Sequence, residues 1–130
     1  MNDFKMKACM IDISRFSVPK FERMKKMLKK ISDSGYDTVF FNIEHTFKIP
    51  EHPRIGIEAD GYDMKEFNKL SSYAQKINLA LVPLIQSFGH MFHILKWDQY
   101  AYLAESEMKW SVSVSDQTYI LIDDLYKRAA

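Results

Sequence analysis

At 130 residues the chain is the size of one domain and long enough to bury a core, and its 47% of hydrophobic residues exclude a disordered segment. Lysine and arginine outnumber the acids by only 18 to 17, so there is no basic field to hold nucleic acid. The single cysteine, Cys9, cannot support a disulfide framework; no apolar run reaches membrane length and Met1 to Lys7 hold no signal-peptide core, so a soluble, cytoplasmic chain is expected.

Ala8 to Ile13 is a short apolar run between polar residues, hence a strand. Val18-Pro19 punctuates, and Phe21, Met24, Leu28 and Ile31 then recur at helical spacing. Lys25, Lys26, Lys29 and Lys30 lie on the other, solvated face, and Gly35 ends the helix. Thr38 to Ile43, β-branched and aromatic, is a second strand. Asp63-Met-Lys-Glu66 is a capping-box variant opening a helix with a buried stripe of Met64, Phe67, Leu70, Ala74 and Ile77. Leu79 to Ile85 reads as a buried third strand, with Pro83 expected near its end because proline cannot donate to a ladder. A helix from Met91 to Ala104, a polar break from Glu105 to Ser115 and a last helix from Asp116 to Ala130 complete the chain. In that last helix Ile120, Leu121, Leu125 and Tyr126 are expected to face inward.

Apolar strands joined by helices imply a parallel sheet in an α/β fold. No strand is followed by a glycine-rich phosphate loop, which disfavours a doubly wound nucleotide-binding sheet. The polar strand ends fit a (β/α)8 TIM barrel better, but such barrels need about 250 residues. The chain therefore reads as a partial barrel of about three βα units plus a further helix. Three strands cannot close, so the outer two expose ladder edges. Met10, Val39, Phe41, Leu81 and Leu84 are expected to be partly uncovered, with self-association as the consequence.

Each strand end carries chemistry. Asp12 and Arg15 follow the first, Glu44 and His45 the second, and Gln86, Ser87 and His90 the third. In parallel α/β folds such ends open into the ligand site. The histidines match no closed zinc spacing, so neither a metal nor another cofactor is implied. The segment from Thr46 to Tyr62 exceeds the about 2–6 residues usual for a βα connection, which suggests a cleft wall with Glu51, His52 and Arg54 as candidate contacts. Trp97 and Trp110 could stack against sugar rings, with helix packing as the equal alternative for Trp97.

These motifs resemble glycoside hydrolase family 20, the β-N-acetylhexosaminidases. Met10-Ile-Asp-Ile-Ser-Arg15 with Val18-Pro19 is similar to the family's first-strand motif. Asn42-Ile-Glu-His-Thr-Phe47 and Gln86-Ser-Phe-Gly-His-Met91, with Leu95-Lys96 and Tyr100 to Glu105, resemble its hexosaminidase D-like branch. Ser113-Val-Ser-Asp116 through Leu125 is similar to the segment before the family's fourth strand. The resemblance spans nearly the whole chain and implies that residues 1–130 are the N-terminal portion of a catalytic barrel. It implies a glycan or glycoside ending in N-acetylhexosamine as partner, and neither nucleic acid nor membrane. Arg15 matches an arginine that binds ring hydroxyls, with Asp12 as its orienting partner. His90 matches a histidine that, with a second-strand acid, supports the catalytic glutamate; Glu44 is the candidate acid and His45 the alternative. Gln86 joins the substrate-binding set.

The reaction so implied is substrate-assisted retaining hydrolysis, with an Asp-Glu pair at the end of the fourth strand. That pair is missing from this chain, which ends just before the strand is due. The isolated chain is expected to be inactive. The alternative is a non-catalytic carbohydrate-binding α/β domain, and a metal-dependent barrel-like enzyme using the histidines is a third possibility.

Overall fold

The computed structural model describes residues 5–15, 17–57 and 60–129. Strands β1 (Ala8–Asp12), β2 (Thr38–Asn42) and β3 (Ala80–Leu84) form a parallel sheet in the order β1-β2-β3. Helices α1 (Phe21–Asp33) and α2 (Met64–Lys76) connect them. After β3 come α3 (Phe92–Leu95), α4 (Asp98–Ala101) and α5 (Asp116–Ala129); Ala130 lies outside the described residues.

Local signals explain the crossovers. Met24 and Leu28 of α1 are fully buried, and Gly35, at φ +85°, lets the chain leave the helix while its N–H bonds the Ser32 carbonyl at 2.9 Å. At α2 the Asp63 carboxylate accepts from the Glu66 amide at 2.8 Å, and the Glu66 carboxylate accepts from the Asp63 amide at 3.1 Å.

Register decides which side chains are covered. Ile11, Val39 and Phe41 share one face, and successive residues alternate between faces. That face joins the helices: Val39 and Phe41 are fully buried, and the Phe41 ring lies 6.0 Å from that of Phe67 on α2. The opposite face carries Met10, 61% exposed, Val82, 38% exposed, and half-buried Leu84. The sequence-based list of uncovered residues is therefore corrected. Val39 and Phe41 point at the helix layer, half-buried Leu81 lies on the same side, and the open face is Met10, Val82 and Leu84.

β3 is not buried as expected; Ala80 and Val82 are exposed and Leu81, Pro83 and Leu84 half-buried, because it is an outer strand with one uncovered face. Pro83 sits inside it, opposite Phe41. The Ala80 N–H bonds the Asp37 carbonyl across the ladder at 2.8 Å, so by alternation position 83 would aim its amide at the open edge. The missing donor costs no ladder bond there.

The expected Met91–Ala104 helix is instead two short helices separated by Trp97, which is extended at φ −78° and ψ 135°. The buried residues Met91, Ile94, Leu95, Tyr100 and Leu103 would surround a continuous helix of about 3.6 residues per turn. The break brings them into one core. On α5 the buried stripe is Thr118, Leu121 and Leu125, whereas Ile120 and Tyr126 are 61% and 48% exposed. Thr118 displaces them inward because its hydroxyl has a partner there, the Ser113 carbonyl at 2.7 Å.

The long loop after β2 has its own core: Phe47, Ile49, Ile55 and Tyr62 are buried, and Phe47 pairs with Tyr62 in a parallel bridge. The Tyr62 hydroxyl donates to the Pro19 carbonyl, tying the loop to the start of α1. Burial, with the Glu66 carboxylate adding to it, pushes the Tyr62 phenol up to about 12. The unfolded chain ionises nearer 10, so this tyrosine makes stability fall as pH rises between those values. Urea midpoints measured across that window should drop less steeply for Tyr62→Phe than for the parent. Parallel slopes would contradict the assignment.

Candidate functional site

The carboxyl ends of the three strands bring most of the expected residues together. Asp12 ends β1 opposite Asn42, which ends β2, and both lie on the face of the sheet turned away from the helix layer. One Asp12 oxygen accepts from the Ser14 amide at 2.8 Å and the Ser14 hydroxyl at 2.6 Å; the other accepts from Arg15 Nε at 3.1 Å. Burial pushes the Asp12 carboxyl up, but the bonds from Ser14, Asn42 and Arg15 outweigh it and hold the group below its ordinary value.

Glu44 is the meeting point. Its Oε1 accepts from Arg15 Nη2 at 3.5 Å, Asn42 Nδ2 at 3.3 Å and Gln86 Nε2 at 3.5 Å. One donor comes from each strand end. All three bonds are long against the usual 2.9–3.0 Å or so, because the donors share a single oxygen. Glu44 is 7% exposed and stands at φ +39°, a left-handed conformation that non-glycine residues rarely adopt. Arg15, with its side chain 54% exposed, turns two of its donors to Asp12 and Glu44 and presents the rest of the guanidinium to solvent. A planar cation held by two carboxylates beside a buried amide can bind hydroxyl or carbonyl oxygens.

His45 lies at the edge of this group, its Nδ1 4.0 Å from Glu44 Oε2 and its ring stacked 3.9 Å from that of His93. His90 is placed differently: its ring leans on Trp110 at 4.9 Å, and no hydrogen bond joins it to Glu44 among the described residues. Asn42 was missed by sequence reasoning, which read it only as part of a strand-end motif. Its Oδ1 is buried without a hydrogen-bond partner among the described residues. The signal was available, since a carboxamide at the last residue of an otherwise apolar strand needs partners.

The loop candidates serve other contacts. The Glu51 carboxylate pairs with Arg128 of α5. His52 links α4 and α5, with Nδ1 2.9 Å from the Tyr100 hydroxyl and Nε2 3.2 Å from the Asp124 carboxylate. Arg54 lies over the Trp97 ring at 5.0 Å, and Lys96 lies 5.4 Å from the same ring. These bonds fasten the loop to the helices after β3. A cleft of about 440 Å³ lies along the same loop, lined by Ile49, Ile55, Ile57 and Met64 with Lys48 and Arg128. None of the strand-end residues lines it. No group of three or more His, Cys, Asp or Glu able to hold a metal ion occurs among the described residues. Nor is any described helix long and apolar enough to cross a membrane.

No family model matches the sequence. No curated protein matches it either. Solved structures do. The N-acetyl-β-hexosaminidase of Streptomyces plicatus in complex with Thio-NAglucal superposes with a TM-score of 0.80 at 19% identity, over 95% of this chain and 29% of that one. A mutant of the S. plicatus β-hexosaminidase in complex with product GlcNAc gives 0.77 at 19% identity, over 95% and 29%. The glycoside hydrolase family 20 β-N-acetylhexosaminidase of Streptomyces coelicolor A3(2) gives 0.78 at 19% identity, over 95% and 30%. The chain thus spans about three-tenths of the length of these structures. Its fold is that of part of the family's TIM barrel.

Proposed function

We propose that the chain is part of a β-N-acetylhexosaminidase-type glycoside hydrolase, and that its three strand ends form part of the wall that holds a terminal N-acetylhexosamine. The observation that carries this reading is the convergence of Arg15, Asn42 and Gln86 on Glu44 at the carboxyl ends of parallel strands. In barrels of this kind that end holds the active site. The fold shared with a GlcNAc-bound hexosaminidase supports the choice of sugar.

In this reading the Arg15 guanidinium donates to ring hydroxyls, Asp12 and Glu44 fix its plane, and Gln86 and His45 flank it. His90 stands on the same rim, with its ring against Trp110 rather than Glu44. The family's chemistry starts with attack of the sugar's acetamido oxygen on the anomeric carbon, while an acid protonates the leaving oxygen. The Asp-Glu pair that supplies the acid has no counterpart here: the sequence contains no Asp-Glu dipeptide. Asp123 and Asp124 cannot stand in, since both sit on α5, where Asp124 is held by His52 and Asp123 pairs with Lys127. A missing general acid lowers rate by about 10²–10⁴. The 130-residue chain alone should therefore give no measurable release from an aryl N-acetylglucosaminide. Clear turnover would place the acid within this chain and contradict the reading.

The proposal extends to assembly and location. The uncovered face with Met10 and Val82, and the open edges of β1 and β3, are suited to a second copy or to further strands. Sedimentation of the chain should show association that increases with concentration, and a stable monomer throughout would contradict it. A cytoplasmic setting fits the single, half-buried Cys9, whose thiol burial pushes up in pKa and so makes less reactive.

A further inference from the structure

We propose that the cleft along the loop after β2 binds a medium-chain fatty acid, with the tail on its isoleucine floor and the carboxylate at its cationic mouth. The inference goes beyond the sugar reading and does not depend on it, since none of the strand-end residues lines this cleft.

The floor is apolar and fixed. Ile49 and Ile55 are 3% exposed, and Met64 and Ile57 continue the wall toward solvent, Ile57 with 55% of its surface open. Pro50 and Pro53 complete the wall, and neither has an N–H to offer. The loop that carries them is closed on itself. The His52 N–H bonds the Ile49 carbonyl at 3.0 Å, the Ile55 N–H bonds the His52 carbonyl at 2.8 Å, and the Gly61 N–H bonds the Gly56 carbonyl at 3.0 Å. Gly56, at φ +82°, lies so close to Phe47 that a Cβ there would stand 2.7 Å from its carbonyl carbon. The walls therefore stand ready before a ligand arrives, which removes much of the ordering cost of binding. A volume of about 440 Å³ is that of a small-molecule site.

The mouth is positive. Lys48, Lys65 and Arg128 line it against a single acid, Asp63, whose carboxylate is already engaged by the Glu66 amide. Lys65 makes no ion pair among the described residues. Lys48 bonds Asp60, whose side chain is fully exposed, and Arg128 turns Nε and Nη2 to the exposed Glu51. Exposed pairs of this kind are weak and give way readily to a better-placed carboxylate. A sugar or a peptide would leave its hydroxyls or amides without partners on a floor of isoleucine and proline. An aliphatic tail needs none, and its acid head matches the mouth.

Calorimetric titration of the 130-residue chain with hexanoate, octanoate and decanoate, below micelle formation, tests this. Affinity should rise roughly two- to fourfold for each added methylene, the gain expected of a buried tail. 1-Decanol, which keeps the tail and lacks the charge, should bind roughly tenfold more weakly than decanoate. Ile57→Ser and Lys65→Glu alter exposed side chains and should leave the fold intact. The first should flatten the dependence on tail length, and the second should erase the advantage of decanoate over decanol. Amide shifts on adding decanoate should centre on Ile55, Ile57 and Met64. Shifts centred on Met10 and Val82, affinity indifferent to both substitutions, or no binding of decanoate would overturn the inference. So would movement of the cleft amides with protein concentration alone, which would mark a second copy as the occupant. None of these outcomes alters what N-acetylglucosamine does at the strand ends, so the proposed function stands or falls separately.

Discussion

Gly61→Ala should lower the unfolding temperature by about 10 °C, the largest effect expected of an alanine at any of the four glycines. A Cβ on Gly61 would stand 1.8 Å from the Thr46 carbonyl oxygen and 2.4 Å from its carbon, both backbone atoms. Thr46 cannot retreat readily. It is 1% exposed, and both its amide and its hydroxyl bond the Ile43 carbonyl, at 2.7 and 2.6 Å. Overpacking a rigid site costs about 1–3 kcal/mol or more, and for a chain of this size each kilocalorie is worth about 3–6 °C. Thr46 is also two residues from Glu44, so the loop shift would reach the strand-end group. Gly89→Ala is the control, because nothing lies within 4 Å of its added methyl. Calorimetric midpoints within a degree or two for all three proteins would contradict the packing described.

Arg15→Ala should weaken N-acetylglucosamine binding by about 10- to 100-fold, the equivalent of one or two charge-assisted hydrogen bonds. The fold should survive, since the side chain is 54% exposed and is not part of the apolar core. Arg15→Lys should recover only part of the affinity: a lysine restores the charge but not the planar fork that spans Asp12 and Glu44. Affinity unchanged in Arg15→Ala would remove Arg15 from the sugar site.

Much of the frame was legible because its causes are local. Met24 and Leu28 at helical spacing, the Asp63–Glu66 box and the β-branched second strand each specify their element without help from elsewhere. What escaped depends on partners distant in sequence. Which face of the sheet stays open follows from the pairing of Ile11 with Phe41, and a single strand cannot show that pairing. The break at Trp97 and the inward turn of Thr118 reflect the core that α3, α4 and α5 must share.

The candidate site is legible in the same uneven way. Charged residues at strand ends stand out, so Asp12, Arg15 and Glu44 were found and do meet. Asn42 was passed over because an amide within a strand motif gives no sign of which carboxylate it will face. The imidazole of His90 was expected toward Glu44, and the left-handed turn directs it to Trp110 instead. Positive φ at a histidine has no sequence signature comparable to that of glycine.

Amide chemical shifts of the 130-residue chain, followed by NMR as N-acetylglucosamine is added, test the central claim most directly. The expected result is saturable movement confined to Asp12–Arg15, Asn42–His45 and Gln86–His90, absent in Arg15→Ala. Movement centred on Ile55 and Met64 along the loop cleft, or no movement at any concentration, would contradict a hexosamine wall at the strand ends.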